Sequence, residues 1–314
     1  MPENSVNGKE CSAVGAKEPA FIGYPNRSAR LGALDISRAL PIRDRRMVGP
    51  WCFLDRFGPL SFTSNKPMNV PPHPHIGLQT VSWLLAGEVL HNDSLGSEAM
   101  VRPGGVNVMT AGYGISHTEE TPKENTGRLN GVQLWVALPE NARNIAPSFT
   151  NVEHVPKLDT RGGIVQVFAG TKNGAVSPAP YYSEIVGLEI QVHAESEFEL
   201  DLDHGYEHAL LVLNGDCNYE MTKLEERMLY YLGSARSSIS LTSRSGSRVL
   251  LIGGPPFPEK ILMWWNFVAR TPDEIAQARA DWEAFRRFGQ VVGEHAPRLV
   301  APDLVRFARP NPAS

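Results

Sequence analysis

The 314-residue sequence predicts an all-β protein of two tandem barrels or sandwiches, followed by one α-helix near the C-terminus. Three observations carry that expectation. The length suits two domains of about 100 to 150 residues each, with tails. The 28 glycines and 25 prolines lie between strand-length runs of Val, Ile, Leu, Phe and Trp, a pattern of frequent chain reversal. An apolar strand running into a Gly-acid turn occurs twice, as Ser82–Val89 and Leu210–Cys217, so the halves look like copies.

Taken in order, residues 1–20 are polar and small with no hydrophobic period, and are expected to form a flexible tail. An N-terminal domain is expected over 21–150. Its runs Trp51–Phe57, Gln79–Leu85, Val106–Met109 and Gly131–Leu138 are rich in β-forming residues and bounded by Gly, Pro, Asn or Asp. Asn141–Asp159, with Pro147 and Pro156, reads as the crossing between halves. A second domain over 151–270 resumes with Ile164–Ala169, Glu184–Val192, Ala209–Leu213 and Arg248–Ile252. The last section, 271–314, opens on a helix. Thr271 supplies the N-cap, Pro272 the first turn and Glu274 the capping box, with Ile275, Ala278, Trp282 and Phe285 at helical spacing and Gly289 at the end. A lone helix of this length is not stable in water, so its apolar stripe is expected to lie on a barrel. Trp264–Phe267 is expected to pack at that join.

The balance of charges excludes some partners. A formal charge of −4 gives no field that draws the chain to nucleic acid or anionic lipid. No run approaches the roughly 20 apolar residues of a membrane span, and the start lacks a signal-peptide pattern, so a cytoplasmic location is expected. Cys11, Cys52 and Cys217 are odd in number and widely spaced, and read as free thiols. Arg43–Arg46 is a short basic cluster expected in a solvated loop.

The chemistry concentrates in two pairs. In Pro72-His73-Pro74-His75, residues two apart on a strand project from one face and can reach one ion. One such pair alone is as well explained by surface histidines. A second, His117-Thr118-Glu119, follows the turn-rich stretch Thr110–Ser116, so an adjacent strand can add two ligands. Three imidazoles and one carboxylate leave a divalent ion near +1 with open positions for water, dioxygen or an anionic oxygen. None of the cysteines lies near this cluster, which argues against a closed structural zinc site; ligand type leaves iron, manganese, copper and nickel open. His91 is read as a hydrogen-bonding loop residue in preference to a ligand, and His204 and His208 as structural. His154, His193 and His295 carry no pattern. Trp83, Val108, Met109 and Trp135 suit barrel core, or the walls of an apolar cavity over the metal.

Overlaying Ser82–Val89 on Leu210–Cys217 sets Asp201 and Asp203 opposite His73 and His75. A second register, Thr110 on Thr242, sets Val249 and Leu251 opposite His117 and Glu119. Either way the second barrel is expected to lack the ligand set.

Three segments, HPHIGLQTVSWLLAGEVLHNDSLG, PGGVNVMTAGYGISHTEE and MWWNFVARTPDEIAQA, closely resemble pirins of the cupin superfamily, over about Leu34 to Phe288. The resemblance implies two tandem cupin (jelly-roll-like) β-barrels with one metal in the N-terminal barrel, held by His73, His75, His117 and Glu119. It makes Fe(II) the first-choice ion, with copper, manganese, nickel or zinc as other fits. Some pirins are quercetin 2,3-dioxygenases, which implies a flavonol substrate and Glu119 as acceptor of its 3-hydroxyl proton. Others are iron-dependent, redox-sensing regulators acting through protein partners, the alternative reading. Gln79 stands where the family commonly has glutamate, and Gly105 and Val108 replace acidic and aromatic residues; these departures are expected to remove a carboxylate near the metal and to widen its pocket.

Overall fold

The computed structural model describes residues 9–11, 18–31, 34–63, 67–293 and 295–304. Two jelly-roll barrels stand in tandem, as the sequence predicts. Seven core strands build the first: β1 (Trp51–Ser61), β2 (Asn69–His75), β3 (Leu78–Gly87), β4 (Val89–Asp93), β5 (Val106–Thr110), β6 (Ile115–Glu120) and β7 (Arg128–Ala137). Seven more repeat them: β8 (Val186–Val192), β9 (Ser196–Asp201), β10 (Glu207–Gly215), β11 (Cys217–Tyr219), β12 (Met228–Gly233), β13 (Ser238–Ser243) and β14 (Ser247–Gly254). The pairing order β5–β3–β7–β1 in the larger sheet of the first barrel recurs as β12–β10–β14–β8, and β2–β6–β4 in the smaller sheet recurs as β9–β13–β11.

That correspondence corrects both registers of the repeat. The counterpart of β6 is β13, not the strand carrying Val249 and Leu251, which corresponds to β7. Glu119 pairs with His91 and Val70, and Leu241 pairs with Tyr219 and Phe198 in the same places, so Leu241 stands for Glu119 and Ile239 for His117. His73 pairs with His117 as Leu200 pairs with Ile239, so Leu200 takes the place of His73 and Leu202 that of His75. The slip arises in the turn that leads into β3, which is one residue shorter than its counterpart leading into β10. One residue of slip exchanges the faces of a strand, and Asp201 and Asp203 are exposed while Leu200 is buried.

The larger sheets of the two barrels pack back to back. Alternate residues of β3, β5 and β7 (Val81, Trp83, Val106, Val108, Val132, Leu134) meet Phe168, Ala209, Leu211 and Ile252 in one continuous core. Polar groups within it are paired. Trp83 Nε1 donates to Glu189 Oε2 at 2.8 Å, and Arg248 holds both Glu189 oxygens at 2.6 and 2.8 Å. Arg45, expected in a solvated loop, is buried and lies 3.6 Å over the Tyr231 ring. Burial of its neighbours in the joint core is what the short basic motif could not show.

Each chain end serves the opposite barrel. Pro19–Pro25 extends the second barrel's sheet by pairing with β12, and Lys9–Cys11 pairs with Ile261–Trp264. The stretch expected as tail thus supplies strands. Ser148–Val152 pairs with β5 and Lys157–Thr160 pairs with Gly163–Lys172, which narrows the crossing to residues between them. The helix α1 (Pro272–Glu283) returns to the first barrel, where Ile275, Ala278 and Trp282 pack with Ile76, Trp264 and Phe267. Thr271 accepts from the Glu274 amide, while Glu274 Oε2 accepts from the Arg270 amide at 2.8 Å, one residue before the cap. Phe285 stands beyond the helix and is exposed, its backbone at φ 56°, so the stripe ends one turn early. Cys217 is a free, buried thiol and Cys52 is buried; the Cys11 side chain lies outside the described residues.

Candidate metal centre

The alternation of β2 and β6 sends His73, His75 and His117 into the first barrel. Gly77 makes the turn between β2 and β3 at φ 67°, where a side chain would run into the Val268 carbonyl; glycine is required for this turn to lie against Val268. The three rings converge with centroids 4.3 to 5.0 Å apart. One ring nitrogen from each lies within 4.8 Å of the other two, an arrangement that could hold a metal ion.

Hydrogen bonding leaves the right atoms free. His73 Nδ1 is 2.9 Å from the Pro71 carbonyl and His75 Nδ1 is 2.9 Å from the Asn266 carbonyl. A carbonyl only accepts, so both Nδ1 atoms carry the proton and both Nε2 atoms present lone pairs. His117 Nδ1 is 3.3 Å from His91 Nδ1, and His117 Nε2 is buried without a hydrogen-bond partner. A buried polar atom without a partner is costly, and a cation at this point would relieve it. Burial drives all three imidazoles toward neutrality, His73 to about 4 and the other two well below their usual value. The residues therefore fit a divalent ion.

Glu119 lies on the same strand as His117 and is buried, but its carboxylate is not part of the three-histidine group. Ser82 Oγ donates to it at 3.4 Å, and Ser82 is also 2.8 Å from Gln133 Oε1. Burial pushes its acid up to about 7, against hydrogen bonds from Ser82 and Gln133. Trp135 stands edge-on 5.2 Å from His75 and stacks on Phe53 at 4.1 Å, and Arg38 caps Phe53 at 4.5 Å while binding Asp55 through two 2.7 Å contacts.

Several expectations about the surroundings are corrected. Trp83 and Val108 lie in the core between barrels, on the opposite strand faces, leaving Met109 and Trp135 on the metal side. Gln79 points the same way as Trp83: its Nε2 donates to Thr110 Oγ1 at 2.9 Å and to the Pro180 carbonyl at 3.0 Å, so it contributes nothing to the metal face. Gly105 sits against the Val152 and Glu153 carbonyls, where any side chain would collide, and it widens no pocket. His91 does hydrogen-bond, but from strand β4 and not from a loop. It is buried, stacked on Phe149 at 4.1 Å, with Nε2 3.0 Å from Asp93 Oδ2. His91 and Asp93 were legible as another pair two apart; the Asn266 carbonyl carried no sequence signal. His295, assigned nothing, meets Glu120 at 3.0 Å.

Comparison with known proteins agrees with this fold. Residues 33–136 match the family model described as Pirin, and residues 187–289 that described as Pirin C-terminal cupin domain. A Pseudomonas aeruginosa protein named "Putative quercetin 2,3-dioxygenase" is 43% identical over 88% of this chain and 89% of its own. A pirin-like protein of Caulobacter vibrioides is 37% identical over 84% of this chain and 93% of its own. The crystal structure of a quercetin 2,3-dioxygenase from Acinetobacter baumannii superposes with a TM-score of 0.87 at 38% identity, covering 92% of this chain and 97% of the other. With both barrels matched in order and the histidines gathered in the first, the chain belongs to the pirin family of bicupins.

Proposed function

We propose that this chain is a mononuclear-metal dioxygenase that opens a flavonol such as quercetin with O2, using His73, His75, His117 and Glu119 to hold one divalent ion. The observation that carries it is the convergence of three neutral, buried imidazoles whose free Nε2 atoms include one with no partner. The names of the Pseudomonas and Acinetobacter relatives supply the substrate class. Imidazole and carboxylate ligands suit iron, manganese, copper and nickel and leave coordination positions open, and the pirin resemblance puts iron first among them. The ion, when bound, supplies Lewis acidity and redox chemistry toward an anionic oxygen and O2.

The chain's own residues do the rest. Glu119, whose burial raises the proton affinity of its carboxylate, takes the proton of the flavonol 3-hydroxyl in its ionised form. Ser82 Oγ lies between that carboxylate and Gln133 Oε1, and its one hydroxyl proton can be donated to either. Met109, Phe53 and Trp135 give the apolar wall that excludes water and accepts flat rings. The test is anaerobic loading with Fe(II), followed by O2 and quercetin. Quercetin consumption with release of carbon monoxide is expected; neither appearing with iron, manganese, nickel or copper rejects the flavonol reading.

A further inference from the structure

We propose that Asp93 and His91 are positioning residues that lock His117 in the tautomer whose Nε2 lone pair faces the metal position. This rests on the reading of His117 as a ligand. The contact between His117 Nδ1 and His91 Nδ1, 3.3 Å long, has room for one proton. If His117 carries it, His91 Nδ1 accepts, His91 Nε2–H donates to Asp93 Oδ2 at 3.0 Å, and His117 Nε2 is left bare. If His91 carries it instead, neutral His91 turns a lone pair toward a carboxylate. His117 Nε2 then bears a buried proton with no acceptor. Only the first arrangement pairs every other nitrogen and oxygen along the chain and leaves His117 Nε2 a lone pair that a cation can take.

The relay is itself fixed. Asp93 Oδ1 accepts from the Leu95 and Ser97 amides at 2.9 and 3.0 Å, which aims Oδ2 at His91. The His91 ring lies parallel to Phe149, 7° from coplanar. His91 does not compete as a ligand, because it meets His117 on the ring atom away from Nε2. His73 and His75 are locked by backbone carbonyls, so His117 is the one ring of the three whose orientation side chains control. In the second barrel the place of His91 falls to Tyr219 and that of Asp93 to Met221, which is 99% exposed.

The decisive variant is Asp93→Asn. Its amide oxygen can keep the Leu95 and Ser97 contacts, but its NH2 group then faces His91 Nε2, which must accept. The proton moves to His91 Nδ1, and His117 is driven to the Nε2–H form. His91→Phe keeps a ring on Phe149 and deletes the acceptor. Both variants are expected to weaken Zn(II) binding by the full-length protein about 10- to 100-fold in chelator competition. The double variant should lose no more than His91→Phe alone. In 15N-histidine spectra of the metal-free protein, the wild type should show His117 protonated at Nδ1 and His91 at Nε2, reversed in Asp93→Asn. Wild-type Zn(II) affinity in both variants, additive losses, or His91 protonated at Nδ1 in the wild type overturns the proposal. If a variant fails to fold, the wild-type spectrum still decides. His117→Ala separates the two readings: unchanged Zn(II) binding sinks the ligand assignment, whereas lost binding beside intact Asp93→Asn and His91→Phe sinks the relay alone.

Discussion

The two barrels share a strand order and differ in what fills them. The interior of the second is apolar and mostly aliphatic, with Val165, Leu188, Ile190, Leu200, Leu210, Ile239, Leu241 and Val249 in one cluster with Phe198. The first places His73, His75, His117 and Glu119 where the second has Leu200, Leu202, Ile239 and Leu241. One topology thus serves as an apolar core or as a frame for converging polar side chains, depending on which inward positions are apolar. The difference teaches where stability and function reside. A barrel filled with methyl groups gains from burial directly, about 25 cal/mol per Å². A barrel lined with buried imidazoles and a carboxylate recovers their desolvation only when they are paired or bound to an ion.

The largest expected effect tests whether that asymmetry is functional. His117→Ala should reduce metal bound by the purified protein from about one equivalent per chain to none, in elemental analysis after loading and desalting. A second equivalent in the wild type, or one surviving in the variant, breaks the comparison, because nothing at Ile239 or Leu241 can ligate.

Structurally matched substitutions sharpen it next. Leu241 is fully buried, and Leu241→Ala should cost about 2–5 kcal/mol in urea unfolding. Glu119→Gln, at the matching position, keeps size and hydrogen bonding and should cost the metal-free protein less than about 1 kcal/mol while impairing metal loading. Equal costs would mean that the first barrel's interior is packed for stability as tightly as the second's.

A titratable group is also buried in the second barrel. Desolvation, aided by Lys172, holds His208 down at about 4 against an unfolded value of 6.5. The native state keeps it neutral and the unfolded chain takes up a proton, so its contribution is intact above pH 6.5 and is lost as pH falls toward 4. That loss is at most roughly 3 kcal/mol. The difference in unfolding free energy between wild type and His208→Leu should shift by up to that amount between pH 7 and pH 4.5. A constant difference would show that His208 titrates alike in the folded and the unfolded chain.

Much of this was legible because period-two alternation and turn chemistry are local. The H-x-H pair, the H-x-E pair and the capped helix were read where they stand. The errors came from properties that are not local. A turn into β3 one residue shorter than its counterpart into β10 moved the repeat register, and Arg45 was judged by its charged neighbours and not by the barrel that covers it. The Asn266 carbonyl on His75 Nδ1 joins residues 191 positions apart, and a backbone acceptor leaves no trace in residue identity.

Gln79 shows the same limit and sets the smallest test. Four residues beyond His75, it invited a role at the metal. Strand alternation instead places it with Val81 and Trp83, facing the second barrel, while Thr80 and Ser82 face inward. Its Nε2 bridges Thr110 and the Pro180 carbonyl, a tie between the two halves. Gln79→Leu preserves bulk and leaves that carbonyl unpaired, for an expected loss of about 1–3 kcal/mol in urea unfolding. Metal affinity should stay within about twofold, because a change confined to the interface alters no group that touches the three histidines. A marked loss of metal with little loss of stability would instead mean that the interface sets the geometry of the cavity, and that the barrels are coupled in function as well as in packing.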